Sequence, residues 1–444
     1  MDSGVLLRIP QLGMKALMIE LKRRITMKRI LLVLLLVFLL ASAGWAADTI
    51  KIGSLTALTG GLAPFGPPID YGARLAAAQI NGAGGIFGRM IEIVTRDTGT
   101  AAAVGRDAAA KLIEIDKVPA LVGALGSGVT VAASSVTVAN GVVQISPSST
   151  SPQLTELEDN DFVFRTCPSD ALQGVVQGQV AANQGYKTAS VLYCNNPYGK
   201  GLAEAFKASF EEKGGSVMAM VPYEEQKPSY RGEIEAATKG NPDVLNIIGY
   251  PVDGNKQLVE AVEVGYEGGY IFPDGMKGDE VCGGPAQDYT NASVGTAPGA
   301  LEVAEVALFE NDYKAFLKSE GLSDEDITKA VTIPFRMQNY DAVAVIGLAI
   351  ARAGQGFATM SKKDQGRAIR DNIRRVANAP GTHVKYNEFA KALDLVGKKR
   401  DINYQGVSGP ITFDKAGDVK EAAIEIWMCR GGKTISIWTV PMRK

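Results

Sequence analysis

Six short stretches place hydroxyls, glycines, aromatics and one carboxylate where an apolar run has just ended. "GGLAPFG" (60–66) carries Phe65, "GALGSGVT" (123–130) carries Gly126, Ser127 and Gly128, and "SPSST" (146–150) carries Ser148, Ser149 and Thr150. "NNPYG" (195–199), "GYP" (249–251) and "PDG" (273–275) carry Tyr198, Tyr250 and Asp274. A strand that breaks into Gly-Ser-Gly and restarts as a helix offers free backbone N–H groups, which stabilise a carboxylate. Glycine at 126 and 128 lets a small molecule approach the backbone. Aromatics with a single carboxylate suit the other end of such a molecule, because an ammonium leaving water needs an anionic partner. Each stretch alone could be a turn or a helix cap; together they describe a site for a zwitterion.

Nothing in the set activates a nucleophile. The only histidine, His383 in "PGTHVKYNEF", reads as a loop residue, and none of the four cysteines has CxxC spacing, so a zinc site or a histidine base is not expected. "GALGSG" lacks the G-x-G-x-x-G spacing, "GAGGIFG" (82–88) follows a helix rather than a strand, and there is no P-loop or G-x-S-x-G elbow. The reading is capture without turnover: no catalytic residue, cofactor or metal.

The elements that must hold these stretches alternate. Strands at 49–58, 90–98, "ALVGAL" and 142–147 are separated by helices at 65–81, 101–116 and after residue 127, the signature of a parallel sheet covered on both faces. After an extended segment at 162–170 the pattern restarts, with strands at 189–195, 216–223, 244–250 and 270–275 between helices. Beyond about residue 297 come longer helices, among them 338–354, whose alanine-rich apolar face over 341–352 reads as core-helix packing, and then "GPITFDKAGDVK" and two final strands. The fold class is α/β with two doubly wound units, as expected of a chain of 444 residues. In open α/β sheets small molecules bind beyond the carboxyl ends of strands, where all six stretches fall.

Residues 1–46 stand apart. "MKRILLVLLLVFLLASAGWA" (27–46) has a basic start, an apolar run from Ile30 to Leu40 and small residues at Gly44 and Ala46, a secretory signal peptide. The run falls short of the about 20 residues a membrane span needs. Residues 1–26 read as an upstream extension ahead of a start at Met27. No cysteine lies near the cleavage site, so no lipid anchor is expected. Removing 1–46 takes seven basic and two acidic residues and leaves 39 against 46, a net charge near −7 that disfavours nucleic acid and anionic membranes.

The segments "IKIGSLTALTGGLAPFG", "AAAQINGAGGIFGRMIEIV", "LVGALGSGVT", "VVQISPSSTSPQLT", "FRTCPSD", "NNPYGKGLAEAF" and "GPITFDKAGDVK" make the chain from 49 to 440 resemble the branched-chain amino-acid-binding proteins of ABC importers, which have the type I periplasmic binding protein fold. The resemblance implies two Rossmann-like lobes joined by three crossover strands, near 166–169, 295–300 and 423–428. It implies lobe 1 from 47–166 plus 298–424 and lobe 2 from 167–297 plus 425–444. Ser127 and Ser148 would hold the ligand carboxylate, and Thr150 and the backbone near Ser148 its amino group. Tyr198 and Tyr250 would close over the ligand, and Asp274 would face the ammonium. Asp stands where many relatives have Glu, and Phe65 where many have Tyr. The crossovers suggest a Cys167–Cys429 bridge. The implied protein is a monomeric, soluble periplasmic binder that closes on an amino acid and delivers it to a membrane permease. A sensory binder for an amide, urea-like solute or aromatic carboxylate is the alternative. A secreted enzyme is disfavoured by the missing base–nucleophile pair.

Overall fold

The computed structural model describes residues 49–300 and 303–443, with scattered positions between 18 and 29. The signal-peptide segment therefore lies almost wholly outside the described residues.

Two sheets organise the chain. The first holds β1 (Ile50–Thr56), β2 (Ile91–Asp97), β3 (Ala120–Gly123), β4 (Val143–Ser146) and β5 (Val163–Arg165) in the order β2-β1-β3-β4-β5, all parallel. The second holds β6 (Thr188–Cys194), β7 (Ser216–Tyr223), β8 (Val244–Ile248), β9 (Gly269–Phe272) and β10 (Val294–Pro298). Its parallel part runs β7-β6-β8-β9-β10, the same winding as the first sheet. Three short strands, β11 (Thr382–Val384), β12 (Ile402–Gly406) and β13 (Gly409–Pro410), form a small sheet that the sequence pattern did not suggest. His383 sits exposed in β11 rather than in a loop. The chain then ends in the antiparallel hairpin of β14 (Glu421–Arg430) and β15 (Lys433–Arg443), which extends the second sheet beyond β10.

Strands buried on both faces explain the uninterrupted apolar runs: every residue of β3, β4 and β8 is buried. One core lies around the first sheet and the Arg336–Ala353 helix, whose residues from Gln338 to Ala351 are all buried. A second core surrounds the seven-stranded sheet. In each sheet the strand order reverses beside its first strand, between β1 and β3 and between β6 and β8. Such a reversal opens a crevice at the carboxyl ends. These two crevices carry the loops that end in Phe65, Ser127, Tyr198 and Tyr250.

The chain leaves the first sheet after Arg165 of β5 and the second after Pro298 of β10. The third passage differs. β14 pairs within the second sheet from Glu421 onward, while Gly417 still accepts a backbone hydrogen bond from Arg165 of β5. The connection therefore precedes residue 421 instead of lying at 423–428.

The cysteine pairing differs as well. Cys282 and Cys429 are bridged, with Cα atoms 5.1 Å apart, and Cys167 and Cys194 are buried free thiols. Cys429 lies five residues up β14 from Ile424, which pairs with Pro298 at the hinge. At about 3.4 Å per residue this carries it roughly 17 Å away from the crossovers. The bridge closes a loop of 147 residues, so replacing both Cys282 and Cys429 by serine is expected to lower unfolding free energy by about 2–5 kcal/mol. Urea denaturation of the variant beside the parent protein measures this.

Candidate functional site

The two crevices face each other around a small cavity of about 20 Å³. Leu62, Phe65 and Ile69 reach it from the loop and helix after β1, and Leu125, Gly126 and Ser127 from the loop after β3. Ser148 reaches it from the loop after β4. The second lobe contributes Tyr198, Tyr250, Asp274 and Gly275, and Phe335 stands at the start of the Arg336–Ala353 helix.

The first lobe supplies an anion cradle. Ser127 opens the Ser127–Asn140 helix, and the preceding Gly126 has no side chain with which to cap it. The first N–H groups of a helix have no acceptor within it; here Val129 and Thr130 donate to the Gly126 carbonyl, and Gly126 and Ser127 line the cavity. Hydroxyl polarity sharpens the arrangement. The Ser127 oxygen accepts the Ser151 N–H at 3.2 Å, which leaves the Ser127 hydrogen free to donate into the cavity. Ser148 is the reverse: its hydroxyl donates to the Leu125 carbonyl at 3.1 Å, so only its lone pairs remain for a ligand. Ser127 thus keeps a hydrogen to donate, and Ser148 only lone pairs with which to accept.

The second lobe supplies a buried carboxylate. Asp274 Oδ1 accepts from Gln173 Nε2 at 2.7 Å and from the Tyr198 hydroxyl at 3.0 Å. No side chain among the described residues donates to its Oδ2, the neighbouring backbone N–H groups of Asp274 and Gly275 lie close to the carboxyl, and the residue lines the cavity. Burial pushes the Asp274 carboxyl up to about 6. Behind it lies Asp170, fully buried, with neither oxygen hydrogen-bonded. Burial and the Asp274 charge push Asp170 well above the usual carboxylate range. Tyr198 and Tyr250 stack with ring centroids 5.6 Å apart and planes 11° from parallel. Asn196 donates to the Tyr250 hydroxyl at 3.2 Å and to Glu225. Leu62, Phe65, Ile69, Leu125 and Phe335 make the rest of the wall apolar.

Of the nine residues expected in the site, Phe65, Gly126, Ser127, Ser148, Tyr198, Tyr250 and Asp274 line the cavity. Ser149 and Thr150 do not. Ser146 accepts the Ser149 N–H at 3.0 Å and curls the loop inward, so the Ser149 hydroxyl meets Thr130 at 2.7 Å beneath the cavity floor. Thr150 lies one layer further back, its carbonyl accepting from Arg165 at 2.9 Å and its hydroxyl without a hydrogen bond. Gly128 is turned toward Pro197 of the second lobe, where an added Cβ would stand 3.2 Å from the proline ring. The sequence reading missed the apolar wall and the residues behind Asp274. Asp170 begins a helix directly after its Ser169 cap, where an aspartate is ordinary, and nothing local marks it as unpartnered.

Two lobes of like winding, with their crevices apposed over one cavity, define a solute trap of the type I periplasmic binding fold. A family model described as periplasmic binding protein matches residues 49–390, and the chain belongs to that family, one of substrate-binding proteins rather than enzymes. A Leu/Ile/Val-binding protein homologue of Brucella melitensis is 32% identical over 326 residues, 71% of this chain and 81% of its own length. A chemotactic signal transduction substrate-binding protein of Halobacterium salinarum is 27% identical over 379 residues, 84% of this chain and 85% of its own. The leucine-binding protein LivK of Thermotoga maritima shares the fold with a TM-score of 0.70 at 24% identity, covering 88% of this chain and 99% of its own. A solute-binding protein from R. palustris in complex with benzoate gives 0.69 at 18% identity, covering 89% and 98%. No helix among the described residues is long and apolar enough to cross a membrane.

Proposed function

We propose that this protein captures a small aliphatic amino acid, with leucine, isoleucine and valine first, in the periplasm and delivers it to the permease of an ABC importer. The observation that carries the reading is the opposed chemistry of the cavity ends. Ser127 and the uncapped helix start suit the carboxylate. The carboxylate of Asp274, with the lone pairs of Ser148, suits the ammonium, and the apolar wall suits an aliphatic side chain. The lobes, 49–166 with 299–420 and 167–298 with 421–443, close about the three connections. The ligand bridges them and favours the closed state by its differential affinity. The Leu/Ile/Val-binding relative supports the ligand class.

A thermal-shift series tests this with leucine, isoleucine, valine, an aliphatic amide and benzoate, since binding raises the melting temperature according to concentration over affinity. Stabilisation by leucine-like amino acids is expected. A shift with benzoate alone overturns the amino-acid reading in favour of an aromatic-carboxylate binder. The chemotactic relative favours a sensory role as the second reading; growth on the ligand as sole nitrogen source, with and without the gene, separates uptake from sensing.

Leucine affinity should depend on pH in one direction. Asp274 must be ionised to pair with the ammonium, and burial pushes its carboxyl up to about 6. Protons then compete with leucine, so affinity is flat above that pH and falls by up to about tenfold per unit below it. Calorimetric titrations from pH 4.5 to 8 measure the profile, and a profile flat through pH 5 removes Asp274 from the ammonium site.

A further inference from the structure

Away from the cavity, the lobes meet along a seam built from prolines and glycines. Pro197 opens the Pro197–Glu212 helix of the second lobe, and its ring lies over Gly128 of the first, 3.2 Å from where a Cβ would be. The arrangement is answered in reverse. Pro152, in the short helix after β4, lies over Gly201 in the second turn of the second-lobe helix, 2.6 Å from where a Cβ would be. Between the two pairs the Ser151 hydroxyl crosses the seam and donates to the Pro197 carbonyl at 2.8 Å. Ser151 is 1% exposed, and its own N–H donates to Ser127 Oγ, the hydroxyl that faces the ligand cavity.

We propose that Gly128, Ser151 and Gly201 form a closure latch: two prolines seat on the opposite lobe's glycines, and Ser151 ties that contact to the polarity of Ser127. The physical case is steric. A helix-interior glycine costs stability relative to alanine, so Gly201 does not favour its own helix, and Gly128, second in its helix, gives it nothing that alanine would not. What each permits is the approach of a rigid ring from the other lobe. A methyl group at 201 has nowhere to go while Pro152 is seated, because a proline ring cannot rotate aside. Ser151 acts as a positioning residue, since it reaches the ligand only through Ser127. The latch goes beyond the proposed ligand class and rests on it only where affinity for an amino acid is the readout.

The experiment has one arm without ligand and one with. An added Cβ at Gly128 would lie 4.0 Å from the Cβ of Asn196, within the about 3.5–4.5 Å that a disulfide requires. Lobes that close only briefly without ligand still bring the two thiols together, and the 3.2 Å approach of a Cβ at 128 to Pro197 needs only a few tenths of an ångström of give, so in the absence of ligand the double variant Gly128→Cys/Asn196→Cys is expected to form that bridge on mild oxidation, identified by peptide mass spectrometry. Failure to form it overturns the seam. In the second arm, Gly201→Ala is expected to weaken leucine binding at least tenfold, mostly through faster dissociation. The ligand-free melting temperature stays level or rises, because alanine suits a helix better. Unchanged affinity overturns the latch, and so does lost affinity accompanied by a lowered melting temperature, which reports damage to the fold. If the parent protein does not bind leucine, the proposed ligand class fails and the cross-link alone decides the latch.

Discussion

Asp274→Asn is expected to abolish leucine binding while leaving the fold intact. Asparagine keeps an oxygen to accept from Tyr198 and Gln173, which hold the side chain at 3.0 and 2.7 Å, so the cavity keeps its shape. What disappears is the charge. An ammonium closed into a cavity whose other walls are apolar or neutral then has no anionic partner. Uncompensated charge of this kind costs about 3–5 kcal/mol, and at about 1.4 kcal/mol per tenfold this is a loss of at least a hundredfold in affinity. A carboxylate without the ammonium, such as 4-methylpentanoate, pays no such penalty and should bind the variant as well as the parent. Ligand-free stability moves the other way. A carboxyl pushed up by burial is less favourable ionised in the folded than in the unfolded chain, so at pH 7 the variant should be as stable as the parent or more so. Titration calorimetry with both ligands reads the contrast. Equal leucine affinity in parent and variant would rule out the ammonium role.

Arg165→Met should produce the largest loss of stability. Arg165 is 1% exposed at the end of β5, where the chain leaves the first lobe. Its Nε meets Asp418 at 2.6 Å, Nη1 meets the carbonyls of Thr150 and Ser151 at 2.9 and 2.8 Å, and Nη2 meets the Thr155 hydroxyl at 2.8 Å. One guanidinium thus gathers the first and third connections and the loop that carries Ser148. Methionine fills much of the volume but leaves the buried Asp418 carboxylate without the Arg165 cation. Removing one partner of such a pair costs about 3–5 kcal/mol, which urea denaturation of the ligand-free protein measures. Leucine affinity should fall too, because Ser151 sets the polarity of Ser127. If Arg165→Met/Asp418→Asn is no more stable than Arg165→Met, the ion pair is not the source of the loss.

Much of this architecture was legible because parallel strands buried on both faces must be continuously apolar. The loops at their carboxyl ends are the places where such a chain can afford polar residues. That rule located Phe65, Ser127, Ser148, Tyr198, Tyr250 and Asp274 without coordinates. It could not separate Ser148 from Ser149 and Thr150, since adjacent residues in a loop have no fixed period and one turn about Ser146 decides which of them reaches the cavity. Nor could it find Phe335, which arrives from a helix some 60 residues beyond Asp274 in the chain.

The sequence alone determined the alternation of strand and helix, the doubling of the unit and the kinds of group gathered at the strand ends. All of these follow from local periodicity and from which residues tolerate burial. Tertiary structure alone decided which hydroxyl donates and which accepts, that Cys429 pairs with Cys282 and not Cys167, and that Asp170 stands unpartnered behind Asp274. These depend on distances between residues far apart in the chain, and hydrogen-bond polarity, disulfide reach and desolvation change over a few ångströms that no local pattern encodes.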